Sequence, residues 1–353
     1  MKIQDFEKAA RDAVIECFQS IPFLTIKEMD AESNLRDLRP DIQLTVEIKD
    51  DIKYIIVETK NNGEPRITRQ AINQLIRYFE LQPDAYGVFV APYISPKSNT
   101  ICQEAGIGTI DLAGNCNISF DTVYIRKQGN PNPFTRKKYL RSLYTPKAER
   151  ILRVLLSTGP KEWKMEELAG VSDVSIGQVA NVKKLLSDQE WIDSKTVGFN
   201  LTDPMTLLED WSENYKFRRS TALDFYSMLS PSEFEFQLEK VCQERRMTYG
   251  LTGFSGSSRY APVVRYQRVM AYVQGDIEVL ADSLAIKPVG SGFNVTLLEP
   301  YDEGVLFGLE DIEGSQVVSP IQVFLDLKSL RGRGEEAADV IFERVIQKKW
   351  SGE

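Results

Sequence analysis

The chain has 353 residues, of which 42% are apolar and 27% charged, so it is predicted to form two or three folded domains and not a disordered chain. It contains no histidine and only four scattered cysteines, which excludes Ser-His-Asp and Cys-His chemistry, histidine-ligated zinc and a disulfide framework. The net charge of −8 lies mainly in residues 204–353, where 16 basic residues face 23 acidic ones, against 18 and 19 in residues 1–140. A bulk positive surface for nucleic acid is therefore excluded.

The first segment, residues 1–127, alternates helical and strand-like apolar patterns. This mixture of hairpins and crossover helices predicts an α/β sheet that is covered on both faces. The predicted elements, in chain order, are a helix (3–19), three strands (23–26, 42–48 and 54–58), a helix (68–81), a strand (86–91), a short helix (96–105) and a strand pair (within 109–125).

Three residues of this segment would be costly to place at strand ends without a purpose. Asp41 leads the second predicted strand, and Glu58 and Lys60 end the third, on one face because side chains alternate along a strand. Two carboxylates brought together repel unless a cation lies between them, and such oxygen ligands suit Mg²⁺ or Mn²⁺. We therefore predict Asp41, Glu58 and Thr59 as metal ligands. Lys60 would orient a water molecule or neutralise developing charge.

This pattern resembles the PD-(D/E)xK nuclease superfamily. Pro40-Asp41 is followed, after a gap of 16 residues, by Glu58-Thr59-Lys60. Gln74 and Tyr78 form a Q-x-x-x-Y pattern like that of RecB-like members, and residues 108–115 are similar to a closing strand of restriction-enzyme-like domains. The resemblance covers about a third of the chain and implies a restriction-endonuclease-like αβββαβ core.

The resemblance also implies a role for residues outside the strand ends. Many members use an acidic residue of the first helix, and Glu7, at the edge of the apolar stripe, is the candidate here. Gln74 is a further candidate catalytic residue. The alternative interpretation is charged strand ends without chemistry, because acidic-x-Lys tripeptides recur elsewhere in the chain, as in Asp326-Leu327-Lys328.

A predicted linker, residues 128–144, precedes a helix, a second helix, a turn, a third helix and a hairpin in residues 145–203. The third helix begins with a capping pattern at Ser175 and Gln178, and Ile176 belongs to its predicted apolar face. This order resembles a winged helix-turn-helix, whose third helix enters the major groove. An alternative is a winged helix that contacts proteins. Predicted DNA contacts are Ser175, Gln178, Asn181 and Lys184, with Lys195 on the wing.

Residues 204–353 are predicted to form a C-terminal α/β (α+β) domain. Ser230 and Ser319 begin capped helices. The glycine-rich run 252–259 is not a P-loop, since no Gly-Lys-Ser/Thr follows it, and it is predicted to be a turn. Strands are predicted at 269–273, 295–298 and 305–307.

Motifs in the C-terminal part are similar to those of AbiEi-type antitoxins, a resemblance that covers about residues 145–350. These antitoxins are transcriptional regulators of type IV toxin–antitoxin systems, so the resemblance implies promoter DNA and a cognate toxin as partners. This chain differs by carrying the nuclease-like segment in front. The motifs are Thr252-Gly253-Phe254, Leu297 to Asp302, Val318 to Gln322 and Asp326 to Ala338.

Two functions therefore compete. The first is a Mg²⁺-dependent DNA endonuclease guided by its winged helix, in phage or mobile-element defence. The second is an AbiEi-type antitoxin and transcriptional repressor whose nuclease-like domain is not catalytic. No apolar run is long enough to cross a bilayer, so a cytoplasmic protein without a membrane partner is expected, and a homodimer is left open.

Overall fold

A computed structural model describes residues 3–31, 39–49, 51–133, 143–194, 198–215, 217–262, 265–330 and 332–351. The fold is mixed α/β with several sheets. The chain divides into two compact units: the first comprises residues 1–139 and 186–190, the second residues 140–185 and 191–353. Within the described ranges, no helix has both the length and the apolar character needed to cross a membrane.

The first unit is built on a seven-stranded sheet whose strands follow one another in chain order. The β1–β2, β2–β3, β5–β6 and β6–β7 pairs are antiparallel, whereas β3–β4 and β4–β5 are parallel and need crossover helices. The elements are α1 (Ile3–Gln19), β1 (Leu24–Ala31), β2 (Ile42–Ile48), β3 (Asp51–Thr59), α2 (Pro65–Leu81), β4 (Tyr86–Ala91), α3 (Pro96–Glu104), β5 (Gly108–Asp111), β6 (Cys116–Phe120) and β7 (Val123–Lys127).

Two apolar layers cover the two faces of this sheet. On one face α1 buries its stripe against Ile55 and Val57 of β3. On the other face α2 and α3 pack against Ile56, whose side chain alternates with those two. The prediction of a sheet covered on both faces is confirmed. Because side chains alternate along β3, Glu58 lies on the same face as Ile56, the face that α2 covers.

The strand limits differ from the expected ones at several places: β1 extends to Ala31 and not to 26, and β3 runs from Asp51 to Thr59 and not over 54–58. Phe23 lies outside β1 and is 46% exposed, because the buried alternation begins only at Leu24. The last part of the segment holds three strands where a pair was predicted, since β6 and β7 form a separate hairpin after β5. β2 has the predicted bounds, whereas β3 begins three residues earlier and ends one residue later than predicted.

The next part of the chain has three helices and a small sheet of order β8-β10-β9, and all of it belongs to the second unit except residues 186–190 at the end of the third helix. Their sequence of helix, helix, helix and hairpin is the predicted one. Ile176 is 49% exposed, so its assignment to the apolar face was wrong: the buried stripe begins one turn later, at Val179. The elements are α4 (Pro146–Ser157), β8 (Glu162–Trp163), α5 (Met165–Val171), α6 (Ile176–Asp188), β9 (Ile192–Ser194) and β10 (Phe199–Leu201).

A second seven-stranded sheet, of order β14-β11-β15-β13-β12-β17-β16, forms the rest of the second unit. A capping box at Ser230 confirms the predicted start of α8. The elements are α7 (Pro204–Asn214), β11 (Thr221–Tyr226), α8 (Pro231–Arg245), β12 (Thr248–Leu251), α9 (Gly253–Tyr260), β13 (Val269–Gln274), α10 (Ile277–Ser283), β14 (Lys287–Pro288), β15 (Val295–Glu299), β16 (Glu310–Ile312), β17 (Ser315–Val317), α11 (Pro320–Lys328), α12 (Arg333–Ile341) and α13 (Gln347–Ser351).

Two predictions for this region were wrong. The glycine-rich run is helix α9 and not a turn, and its glycines serve close packing: a Cβ at Gly256 would lie 2.8 Å from the Leu251 carbonyl oxygen. The predicted strand 305–307 is largely a 3₁₀ turn, Glu303–Leu306, which Asp302 caps by accepting a hydrogen bond from the Gly304 N–H at 2.8 Å.

A buried carboxylate, Asp326 of α11, has no exposed surface. Its Oδ1 accepts hydrogen bonds from the hydroxyls of Tyr215 at 2.8 Å and Tyr272 at 3.1 Å and from Gln322 Nε2 at 2.9 Å. Its Oδ2 accepts one from the Thr252 hydroxyl. Burial raises the pKa of Asp326 to about 6, and the four donors act against that rise. Both oxygens of this carboxylate are thus satisfied within the fold.

Candidate functional site

The site lies at the open end of the β2–β3 hairpin. Ile42 pairs with Val57 in the antiparallel register, so the same register continued by one residue sets Asp41 opposite Glu58. Thr59 holds Asp41 in place: its backbone N–H and its hydroxyl donate to Asp41 Oδ2 at 2.7 and 2.8 Å. The strand pairing therefore brings the two predicted carboxylates together.

Glu58 is buried, with 1% of its surface exposed. Lys60 Nζ donates to its Oε1 at 2.6 Å, whereas its Oε2 is buried without a hydrogen-bond partner among the described residues. Burial raises the pKa of Glu58 to about 7. The hydrogen bond from Lys60 acts against this rise, and the negative charge of Asp41 adds to it. A buried carboxylate oxygen without a partner is costly to leave unmet by protein, water or ion.

Two elements hold Lys60. Its backbone N–H donates to the Val90 carbonyl of β4 at 2.9 Å, which extends the parallel pairing past the end of β3. Its Nζ also donates to Gln74 Oε1 of α2 at 2.9 Å. The ammonium group is thus fixed between a carboxylate and an amide, and an ammonium carries a third N–H.

Tyr78 lies one helical turn after Gln74, on the same side of α2. It is buried, and its hydroxyl donates to the Arg39 carbonyl at 2.9 Å, just before Pro40 and Asp41. Burial raises the pKa of Tyr78 to about 12, with a further contribution from the charges of Glu58 and Asp41. The four-residue spacing of the Q-x-x-x-Y pattern was the sequence signal that Tyr78 lies on the same side of α2 as Gln74.

The structure brings Asp41, Glu58, Thr59, Lys60 and Gln74 into one cluster. Glu7 is not part of it: the side chain is exposed and belongs to α1, which packs on the opposite face of the sheet. The apolar neighbours of Glu7 form the buried stripe of α1, and the helix turns Glu7 away from it.

The donor set fits a hard divalent cation. Asp41 and Glu58 present carboxylate oxygens opposite each other, and Glu58 Oε2 needs a partner. Among the residues that the structure describes, no three His, Cys, Asp or Glu side chains are grouped as a metal site. A cation held here would take these two carboxylates and complete its shell with water or phosphate oxygens, as Mg²⁺ commonly does.

The predicted DNA contacts of the second unit lie on α6 and just before it. Ser175, Asn181 and Lys184 are exposed and Gln178 is partly exposed; the Gln178 N–H donates to Ser175 Oγ at 3.2 Å. Lys195 lies outside the described residues. Sequence reasoning missed Lys147 of α4, an exposed cation that lines the same surface depression as Ser175 and Gln178.

Comparison with known proteins identifies one region of the chain. Residues 200–347 match the family described as transcriptional regulator, AbiEi antitoxin, type IV toxin–antitoxin system. This match confirms the resemblance of the C-terminal part to AbiEi-type antitoxins. No curated protein matches the chain.

Two solved structures are similar to part of the chain. One is a repair endonuclease from Pyrococcus abyssi, with 17% identity and a TM-score of 0.24, over 30% of this chain and 46% of that one. The other is a complex of EndoMS with double-stranded DNA, with 15% identity and a TM-score of 0.22, over 29% and 44%. The chain thus spans less than half the length of either solved structure.

Proposed function

We propose that this protein is a divalent-metal-dependent DNA endonuclease that uses the cluster at the end of the β2–β3 hairpin. The observation that carries the proposal is the buried Glu58 carboxylate. One of its oxygens accepts a hydrogen bond from Lys60, the other has no partner in the described part of the chain, and a second carboxylate, Asp41, lies opposite. A purely structural ion pair would not need the second carboxylate, which only raises the cost of charging Glu58.

Each residue of the cluster has a role in this proposal. Asp41 and Glu58 would hold Mg²⁺ or Mn²⁺, and Thr59 fixes Asp41 through two hydrogen bonds. When bound, such a cation supplies Lewis-acid polarisation of a phosphodiester and makes a bound water more acidic. Lys60, held by Glu58 and Gln74, has an N–H left to orient that water or to stabilise charge on the phosphate.

Substrate binding is assigned to the winged helix in the second unit. Its contacts would be Ser175, Gln178, Asn181 and Lys184 of the helix region, with Lys147 nearby. Amide side chains pair with adenine edges and lysines with phosphates. The same helix serves promoter binding in the second candidate function below.

The test is cleavage of plasmid, linear duplex and single-stranded DNA with Mg²⁺ or Mn²⁺, with and without EDTA. Lys60→Ala should lower the cleavage rate about 10²-fold or more while DNA affinity stays nearly unchanged. Lys97→Ala, an exposed lysine of α3, is the control and should cleave like the parent. A parent protein that cuts none of these substrates, nor RNA, with either metal would overturn the endonuclease proposal.

A second candidate function is an antitoxin-type transcriptional regulator, favoured by the family match of residues 200–347. In this case the protein binds promoter DNA and acts against a cognate toxin, while the hairpin cluster has no catalytic role. The protein would then bind its own upstream DNA with no metal-dependent cleavage of any nucleic acid.

Both candidates predict DNA contact through α6. Asn181→Ala together with Lys184→Ala should weaken duplex binding and reduce its salt dependence, because a phosphate contact is lost. Lys240→Ala, an exposed lysine on α8, is the matched control. Fluorescence anisotropy at several salt concentrations measures both quantities, and unchanged binding would assign the winged helix to protein contacts.

A further inference from the structure

A cavity of about 660 Å³ in the second unit is lined by three arginines, and no acidic side chain lines it among the residues that the structure describes. Arg265 and Arg268 precede β13, and Arg333 begins α12, so distant parts of the chain supply the positive charge. This is unusual for its surroundings, since residues 204–353 carry a net negative charge. Guanidinium groups that converge without carboxylates repel one another unless an anion joins them.

One acidic side chain that contacts a lining residue is already paired with an arginine outside the cavity. Glu235 is buried, accepts a hydrogen bond from the Tyr266 hydroxyl at 2.7 Å and forms an ion pair with Arg259 at 2.6 Å. Among the described residues, Arg265, Arg268 and Arg333 have no ion pair with a carboxylate. Their charge is therefore available to a ligand.

One of the three guanidinium groups is held in place beforehand. Arg268 lies over the ring of Phe293, with its guanidinium carbon 4.0 Å from the ring centroid. A cation–π contact of this kind restricts the side chain but leaves the planar N–H fork free for a phosphate.

The cavity also offers apolar and ring surfaces. Phe254, Tyr266 and Met270 line it, and Phe254 and Tyr266 are only partly buried. Phe254 is the second residue of α9, a helix whose N-cap residue, Thr252, makes no side-chain cap hydrogen bond and donates its hydroxyl to Asp326. Uncapped N–H groups at a helix start add to the positive potential.

Arginines and aromatic rings in one cavity suit a ligand that carries both phosphates and an aromatic base. The guanidinium groups suit phosphates, for which bidentate hydrogen bonds are favourable, and the rings suit a stacked base. The volume lies in the range of small-molecule sites, roughly 300–1,000 Å³. We propose that this cavity binds a free nucleoside polyphosphate. The proposal is independent of the endonuclease activity.

Isothermal titration of the full-length protein with ATP, GTP or pyrophosphate, all with EDTA present, tests this. EDTA keeps the hairpin cluster free of metal, so the result does not depend on that site. We expect one nucleotide per chain with a dissociation constant on the order of micromolar, and Arg265→Gln with Arg333→Gln should weaken it about tenfold or more. Arg245→Gln, an exposed arginine of α8, should leave it unchanged.

A second variant separates stacking from charge. Phe254→Ala should weaken ATP binding several-fold and leave pyrophosphate binding unchanged, because pyrophosphate has no base to stack. Absence of nucleotide binding up to millimolar concentration would overturn the proposal, as would equal loss in Arg245→Gln. A 5′-phosphorylated oligonucleotide that binds here when mononucleotides do not would also overturn it and assign the cavity to a nucleic-acid strand.

Discussion

Two buried carboxylates, one in each unit, have raised pKa values for the same reason and yet differ in what surrounds them. Glu58 and Asp326 are both almost without exposed surface, and burial raises the pKa of each, to about 7 and about 6. Asp326 accepts four hydrogen bonds from neutral groups and has both oxygens satisfied. Glu58 accepts one hydrogen bond from Lys60, lies opposite Asp41 and has one oxygen for which the described residues supply no partner.

The difference separates a carboxylate whose hydrogen bonds are complete within the fold from one whose hydrogen bonds are not complete among the described residues. Fully satisfied buried polar groups fix one packing arrangement, whereas a half-satisfied one costs stability unless something outside the chain completes it. Tyrosines, an amide and a threonine complete Asp326 from within the chain. By the same criterion Glu58 is left to be completed from outside the described part of the chain, as our proposal of a bound cation requires.

The largest expected effect is that of Glu58→Gln. Mn²⁺ affinity and cleavage should both fall by about 10²–10³-fold, because one of two carboxylate ligands is lost. The metal-free variant should melt no lower than the parent at pH 8, since the amide removes a costly buried charge. Glu104→Gln, an exposed residue at the end of α3, is the control. If Glu58→Gln bound Mn²⁺ as tightly as the parent protein, Glu58 would not be a metal ligand and would not differ from Asp326 in that respect.

Asp326→Asn should have the opposite effects to Glu58→Gln: stability should fall and metal-dependent cleavage should stay the same. Both oxygens of Asp326 accept hydrogen bonds, so either orientation of the amide sets an NH₂ group against a donor. We expect a loss of about 1–3 kcal/mol in the free energy of unfolding of the second unit, with metal-dependent cleavage unchanged below the melting transition.

Chemical denaturation followed by circular dichroism measures this loss. Asp339→Asn, which removes an exposed partner of Lys328, should change stability by less than about 1 kcal/mol. A loss of cleavage in Asp326→Asn at temperatures where the protein remains folded would show that Asp326 is not a purely structural group.

The smallest expected effect is on the pH dependence of stability. A carboxyl whose pKa is higher in the folded state contributes stability at low pH and loses it as the pH rises between the unfolded and folded values. For Glu58 this interval runs from 4.5 to about 7, and for Asp326 from 3.8 to about 6. Between pH 6 and 8 the remaining loss should therefore come mainly from Glu58, at no more than about 1.4 kcal/mol per pH unit.

Denaturation at pH 6, 7 and 8 with EDTA measures this slope. Mn²⁺ should flatten it, because a cation binds the charged carboxylate and favours the form that burial disfavours. Glu58→Gln should flatten it without metal. A slope that survives in Glu58→Gln would mean that another group titrates in this interval.

Much of the candidate site followed from the sequence because local rules determine it. Side chains alternate along β3, so Glu58 and Lys60 were predicted on one face and are found together, although burial continues past the apolar run to include Glu58. The separation of Glu7 from the cluster did not follow, since it depends on which face of the sheet α1 covers, a matter of tertiary packing.

Dependence on tertiary packing also explains the wrong predictions in the second unit. The glycine-rich run reads as a turn by composition, but its glycines allow α9 to approach Leu251 closely. The cavity proposed to bind a nucleotide is lined by Arg268 and Arg333, which are far apart in sequence. Residue spacing and periodicity do not predict that these arginines lie together, because their proximity depends on how the sheet and helices fold.

The pairing of Asp41 with Glu58 also limits how the chain length between them can vary. Their register is fixed from the open end of the hairpin, where Ile42 pairs with Val57. Lengthening both strands by one residue each keeps the two carboxylates opposite, whereas one extra residue in a single strand shifts the register and turns one of them to the other face. Proteins that share this site should therefore differ in the gap of 16 residues by even numbers, with odd changes confined to the turn or to a bulge.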